Sequence, residues 1–141
     1  MAFDDICQAI ETYKQQTGLV FMLESLKNFA ANGRVSPAVA KIAGVLGIHV
    51  MGIASAVGTL EQKAKCRGEK KCIQALWKQI KELGYRGGKV RIDHCFNENA
   101  AKQLKELIRM EFKHADIRIG TTKGLCSFYA EQGGLLIGFE S

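Results

Sequence analysis

The stretch KVRIDHCFNENAAKQLKELIRMEFKHADIRIG, residues 89–120, changes its hydrophobic period midway and thereby decides the fold class. Apolar and polar residues alternate over residues 90–96, which predicts a half-buried β-strand. After Asn97, a good helix N-cap, apolar residues recur every three or four positions, which predicts an amphipathic helix. The run ADIRIG, residues 115–120, predicts a second strand. Strand–helix–strand units of this kind build a sheet with helices packed on it.

The sequence on both sides of this stretch predicts further helices and strands. The clearest helix start is Ser36–Pro37, because serine caps a helix and proline loses no hydrogen bond at the first helical position. The whole pattern predicts an α+β domain with two layers, a mixed sheet of five to six strands and helices packed on it. The other predicted elements are a helix at 3–13, a strand at 19–23, a helix at 24–33 that Gly33 ends, a helix at 36–47, strands at 48–55 and 59–66, a helix at 68–83 and a strand at 134–139.

Composition bounds the class of protein. With 141 residues, one proline and no linker, the chain fits one domain, and 47% hydrophobic with 24% charged residues is typical of a globular protein. No apolar run approaches a membrane span, and the acidic amphipathic start predicts no secretory signal, which favours the cytoplasm. The five cysteines are scattered, so we expect free thiols, and they lack the paired spacing of a zinc site.

The net charge of +6 points to an anionic partner. A basic segment around Arg67, Lys70 and Lys71 fits either a solvated helix start or the docking of an acidic protein. Nucleic-acid binding is disfavoured, because the sequence has neither a row of aromatics for base stacking nor a recognition-helix signature. No nucleophile–base set appears, so the sequence predicts a protein that is not an enzyme.

Several other side chains are candidates for ligand contact. Arg34 precedes a predicted helix start, which suits an anion site or a simple exposed turn. His49 lies in an apolar strand, where it either is a satisfied structural residue or faces a ligand. In the closing segment Ser127, Tyr129 and Glu131 alternate, so in an extended chain they would share a face. The Tyr129 hydroxyl could donate to a carboxylate or phosphate, or find a backbone partner inside the protein.

Four segments in order resemble the carboxyl-terminal half of the DegV family of bacterial fatty-acid-binding proteins: LESLKNFAANGRVS, AKIAGVLGIHVMGIAS, TLEQKAKCRGEKKCIQAL and YAEQGGLLIGFE. The resemblance covers nearly the whole chain. It implies that residues 1–141 form a single DegV C-terminal-like domain and that the family's N-terminal domain is absent from this chain. It also implies a carrier that buries one long-chain fatty acid between two domains and presents it to a fatty-acid kinase, without another cofactor.

The resemblance also assigns roles to individual residues. Arg34 falls on an arginine at the carboxylate end of the pocket, and Arg67 falls on an arginine implicated in docking the kinase. Tyr129 falls where many members carry a histidine, and His49 and Gly52 replace the usual lysine and isoleucine. The expected lipid-binding set is Arg34, His49, Gly52, Ser127, Tyr129 and Glu131, and the expected docking set is Arg67, Lys70 and Lys71, with no catalytic or metal-binding residue.

Half of a lipid tunnel would leave an apolar wall open to water. Because exposed apolar patches tend to find a partner, we expect the isolated domain to self-associate or to bind lipid weakly. The alternative function is a protein-interaction module that uses the basic face around Arg67 and binds no lipid.

Overall fold

The computed structural model describes residues 2–35, 47–57 and 59–141. The predicted helix at Ser36–Pro37 and the predicted turn at Gly58 lie outside these residues. The helices are α1 (Phe3–Lys14), α2 (Lys27–Ala31), α3 (Glu69–Glu82), α4 (Glu98–Glu111) and α5 (Gly124–Ala130). The strands are β1 (Thr17–Leu23), β2 (Ile48–Ala54), β3 (Leu60–Arg67), β4 (Val90–His94), β5 (Ile117–Thr121) and β6 (Leu135–Glu140).

The six strands form one sheet in the order β3-β2-β1-β6-β4-β5. Strands β4 and β5 are parallel because helix α4 crosses between them, and every other neighbouring pair is antiparallel. The mixed sheet with packed helices confirms the predicted α+β fold. The closing strand β6 lies in the middle of the sheet between β1 and β4, so the end of the chain is tied into the core.

The main core fills one face of the sheet, beneath helices α3 and α4. Each helix turns one apolar stripe inward, as its three- and four-residue spacing predicts. The stripes meet strand residues of the same cluster, such as Val20, Met22 and Ile137. Buried helix residues in this core are Cys72, Ile73, Leu76, Trp77 and Ile80 of α3 and Ala100, Ala101, Leu104 and Ile108 of α4.

A second, smaller apolar cluster lies on the opposite face of the sheet. Phe21 and Leu23 belong to it, whereas their neighbours Val20 and Met22 belong to the main core, as the alternation of a strand requires. Short helices α2 and α5 supply the cover, with Phe29 and Ala130 packing on the cluster. This end of the second face is where the candidate site lies.

Two local predictions are wrong. Residues 124–130 form helix α5 and not an extended segment, and Glu131 is the residue that follows it, with a left-handed backbone (φ 52°), so the three side chains do not share a face as they would in an extended chain. The seven residues GLCSFYA are too few to establish a helical period, and contacts with α2 stabilise the helix. Strand β4 ends at His94, because the backbone at Phe96 is left-handed (φ 53°) and its side chain is 88% exposed. The predicted cap is confirmed, since Asn97 Oδ1 accepts from the N–H of Ala100.

Candidate functional site

The end of helix α2 positions Arg34. The N–H of Gly33 donates to the carbonyl of Ala30 at 3.0 Å, and the N–H of Arg34 donates to the carbonyl of Phe29 at 2.8 Å. These two bonds form a Schellman motif, which needs a left-handed residue, and Gly33 supplies it with φ 67°. The prediction that Gly33 ends this helix is confirmed, and the turn aims Arg34 toward helix α5.

Arg34 and Tyr129, both expected in the lipid-binding set, contact each other. Nη1 of Arg34 donates to the Tyr129 hydroxyl at 2.9 Å, and the guanidinium carbon lies 4.9 Å from the ring centroid. The ring of Phe29 stacks on Tyr129 with 4.6 Å between centroids. Because the hydroxyl oxygen accepts from arginine, its hydrogen is left for another acceptor. The pair therefore offers a cation and a hydroxyl donor at one place, which suits a carboxylate.

Exposed apolar side chains on α5 adjoin this pair. Leu125 is 70% exposed and Phe128 is 47% exposed, and the Phe128 ring packs edge-on against Tyr129 at 5.1 Å. We call Leu125, Phe128 and Tyr129 the α5 patch. Leu125 and Phe128 are not among the residues predicted for the site, although their spacing of three positions is a helical signal. An anion-binding pair beside an apolar patch matches the two ends of an amphiphilic ligand.

Glu131 holds helices α2 and α5 together. Its Oε1 accepts from the backbone N–H of Asn28 at 3.1 Å, near the start of α2. The Asn28 side chain in turn donates to the carbonyl of Phe128 at 2.7 Å. A carboxylate engaged in this way stabilises the site as a structural element, and its charge would repel a second carboxylate at close range.

The polar atoms of Ser127 are engaged by neighbouring residues. Its hydroxyl shares a hydrogen bond of 2.9 Å with the Thr122 hydroxyl, and its carbonyl lies 3.9 Å from the thiol of Cys95. Ser127, within helix α5, therefore has local partners in Thr122 and Cys95.

His49 faces away from Arg34 and Tyr129. It neighbours Val50, which packs in the second cluster, so its own side chain projects toward the main core. It is 5% exposed, and its Nδ1 has no hydrogen-bond partner among the described residues, with Oε1 of Glu24 at 3.8 Å. The structure does not bring His49 together with the Arg34–Tyr129 pair.

Gly52 lies on the same face as the second cluster but does not open a cavity there. A side chain at this position would collide with the ring of Phe21 and with the carbonyl of Glu61. The missing side chain therefore makes room for Phe21, one of the residues that form the floor beneath α2.

The predicted docking residues are exposed at the β3–α3 junction. Arg67 ends β3, and Lys70 and Lys71 lie in the first turn of α3. None of the three has an ion-pair partner in the described part of the chain. Arg67 lies directly opposite Ile48 in the sheet, so the two side chains share a face. Ile48 is two positions from Val50 of the second cluster, so this is the face that carries the candidate site.

The carboxyl group with the largest pKa shift, Glu140, lies at the far end of the sheet. Glu140 accepts from the backbone N–H of Lys89 at 3.0 Å, from the Tyr13 hydroxyl at 2.8 Å and from the Lys89 ammonium at 3.0 Å. These donors lower the pKa of Glu140 to about 2. The network fastens the end of α1 to β6 and takes no part in the candidate site.

Two general findings limit the chemistry of the described residues. No cluster of three histidine, cysteine or acidic side chains there could hold a metal ion. Among the same residues, no helix has both the length and the apolar character that a membrane crossing requires.

Comparisons with known proteins give one consistent result. The profile of the family described as "Uncharacterised protein, DegV family" matches residues 1–141. A DegV domain-containing protein of Streptococcus pneumoniae, spr0652, is 44% identical over 140 residues. That match covers 99% of this chain and 50% of the relative, so the chain spans about half the length of the curated relatives it matches.

Solved structures agree with the sequence relatives. A DegV family protein from Eubacterium eligens, loaded with heptadecanoic acid, superposes with a TM-score of 0.95 at 45% identity, covering 100% of this chain and 51% of that one. The Streptococcus pneumoniae Fatty Acid Kinase (Fak) B3 protein, loaded with linoleic acid, also gives 0.95, at 44% identity and with coverage of 99% and 50%. On the fold, the family profile and these relatives, the chain belongs to the DegV family.

Proposed function

We propose that this chain is the fatty-acid-binding half of a cytoplasmic DegV carrier and that Arg34 and Tyr129 hold the fatty-acid carboxylate. The observation that carries the proposal is the guanidinium–hydroxyl pair beside the apolar α5 patch. Similar proteins, 44–45% identical, were solved loaded with heptadecanoic and linoleic acids, which supports a long-chain fatty acid as the ligand.

The matched proteins are twice as long, which supports a site shared between two halves. We propose that residues 1–141 act as the family's C-terminal domain and that an N-terminal domain completes the acyl-chain pocket. In this role the protein is a carrier and not a catalyst. A fatty-acid kinase is the proposed acceptor of the loaded carrier, a role that the Fak B3 relative suggests.

Mass spectrometry of lipid released by denaturation tests the proposal. A two-domain protein containing this chain, purified without delipidation, should release one fatty acid per protein. Arg34→Ala should reduce occupancy, whereas Arg109→Ala, which removes an exposed arginine of helix α4, should leave it unchanged. A two-domain protein that carries no lipid and binds none when supplied with oleate would count against fatty-acid binding.

A second candidate function is a protein-interaction module without lipid. It is favoured by Arg67, Lys70 and Lys71, which are exposed and free of ion pairs among the described residues. Arg67→Glu should then abolish binding of an acidic partner while the circular dichroism spectrum stays unchanged. Arg109→Glu is the control with the same change of charge. If both variants bind the partner with equal affinity, the interaction-module function and kinase docking through Arg67 are both ruled out.

A further inference from the structure

Two cysteines meet where strand β3 leads into helix α3. Cys66 is the last residue but one of β3, and Cys72 lies in the first turn of α3. Cys66 lies directly opposite His49 in the sheet, so its side chain projects toward the main core, as that of His49 does. Cys72 is fully buried in this core, and Cys66 packs against the same core. Both are free thiols, and we call the two residues the dithiol.

The two sulfur atoms of the dithiol are in contact. Burial of Cys72 and the Cys66 thiol, to which it hydrogen-bonds, together raise the pKa of Cys72. Gly68 makes the contact possible, because its left-handed backbone (φ 91°) turns the chain from β3 into α3. The N–H of Cys72 donates to the carbonyl of Gly68 at 3.3 Å, which holds the first turn of α3 on this glycine. Two thiols held in contact need little backbone movement to form a disulfide.

The two thiols differ in their access to solvent. Cys66 is partly exposed on β3, an edge strand of the sheet, whereas Cys72 has no exposed surface. The loop between them, residues 67–71, carries three basic side chains and one acidic side chain. Oxidants attack cysteines that are partly exposed in electropositive surroundings, whereas buried cysteines are inert. The geometry therefore makes Cys66 the thiol that reacts first and Cys72 the neighbour that resolves it.

We propose that Cys66 and Cys72 form a redox-active site that peroxide oxidises to an intramolecular disulfide. In the first step the Cys66 sulfur attacks the O–O bond of hydrogen peroxide, which leaves a sulfenic acid on Cys66 and releases water. In the second step the Cys72 sulfur displaces the hydroxyl from the Cys66 sulfur, and this hydroxyl leaves as water with the Cys72 proton. The two thiols lose two electrons in all, and the peroxide gains them. A thiol reductant reverses the reaction by exchange, as for the transient disulfides of cytosolic proteins.

The disulfide closes the loop that holds the proposed docking set. Arg67, Lys70 and Lys71 all lie between the two cysteines. Bonded sulfurs are about 2.05 Å apart, closer than two thiols in contact, so oxidation draws the end of β3 toward the start of α3. This movement shifts Arg67 relative to the two lysines and should weaken binding of a partner that fits the reduced form. Oxidation of the dithiol stands by itself, whereas its effect on docking rests on the proposed function.

Thiol counting after peroxide treatment tests the site. The starting protein carries Cys7→Ser and Cys126→Ser, because these exposed thiols would react themselves, and it keeps three of the five cysteines. Denatured and alkylated with iodoacetamide, it should take up three labels when reduced and one after peroxide, on Cys95. Trypsin should then release residues 66–67 joined to residues 72–78, and dithiothreitol should separate them. Two or three labels after peroxide, or a link that includes Cys95, would overturn the proposal.

Single variants of this protein test the two roles. Cys72→Ser should prevent the link and leave a sulfenic acid on Cys66 that dimedone traps, whereas Cys95→Ser should form the link at an unchanged rate. Cys72→Ala repeats the test without a buried hydroxyl, in case the serine variant does not fold. A Cys72 variant whose Cys66 gives no dimedone adduct would overturn the assignment of Cys66 as the thiol that reacts first.

Binding of the two-domain protein to a fatty-acid kinase tests the effect on docking. Peroxide should weaken binding and dithiothreitol should restore it, whereas Cys66→Ser should bind equally before and after peroxide. Unchanged affinity of a protein whose labels show the disulfide would overturn the effect on docking. Arg67→Glu tests the docking surface itself in the reduced protein, so a failure of the proposed function is distinguished from a failure of the dithiol.

Discussion

Substitution of Gly33 tests the turn that positions Arg34. Gly33 has a left-handed backbone with φ 67°, and a Cβ built on it meets no atom within 4 Å. Gly33→Ala therefore meets no steric contact with the rest of the protein, and its whole cost is backbone strain. A left-handed alanine costs about 1–2 kcal/mol, and we expect this loss in the free energy of unfolding. Gly33→Asn should cost less, because asparagine tolerates this conformation.

Gly138 provides a matched control for this measurement. It also has open space around a built Cβ, but it lies in strand β6 with an ordinary backbone. Gly138→Ala should be neutral or stabilise by about 0.4–1 kcal/mol, because it reduces the freedom of the unfolded chain. Urea unfolding should separate the two alanine variants by about 1–3 kcal/mol. Equal unfolding midpoints would refute the assignment of a strained turn at Gly33 and of its role in aiming Arg34.

Three further predictions concern acid stability, the core and the site. Because the donors around Glu140 hold its pKa at about 2, below the ordinary value of 4.5, their stabilisation is complete above pH 4.5 and is lost as the pH falls toward 2. Glu140→Gln should therefore lower urea stability at pH 7 and converge with the unaltered protein at pH 2; a constant gap would contradict this. Leu104→Ala, at a fully buried position under the sheet, should cost about 2–5 kcal/mol in urea unfolding, and a loss below 1 kcal/mol would contradict the packing of α4. In the two-domain protein, Tyr129→Phe should weaken fatty-acid binding by roughly ten-fold, and a double-mutant cycle with Arg34→Ala should show coupling of about 0.5–3 kcal/mol, measured by calorimetry; strictly additive effects would mean that the pair does not act together.

The sequence predicted the elements whose residues repeat with a clear period. Local residues suffice to indicate features that depend on a single segment of the chain. These features are the apolar stripes of α3 and α4, the caps at Gly33 and Asn97, and strands β2 and β6. The mixed sheet followed from the order of these elements. The family resemblance, which identified Arg34 and Tyr129 as site candidates, used the same ordered segments.

The failures occurred where no period is present or where distant residues decide. Helix α5 forms because its short segment docks on α2, and Phe96 leaves its strand because the chain turns before Asn97. His49 and Tyr129 were assigned to one site, yet they lie on opposite faces of the sheet. The alternation along a strand shows that adjacent side chains point to opposite faces of the sheet. It does not show which of the two faces carries the site.

The sequence by itself therefore determined the fold class, the family and most helix and strand positions of this protein, because hydrophobic period and capping act over a few residues. Tertiary structure alone decided that Arg34 meets Tyr129 across 95 residues and that Glu131 caps α2. Those outcomes depend on how separate elements pack, and packing joins residues whose distance along the chain carries no information about their distance in space.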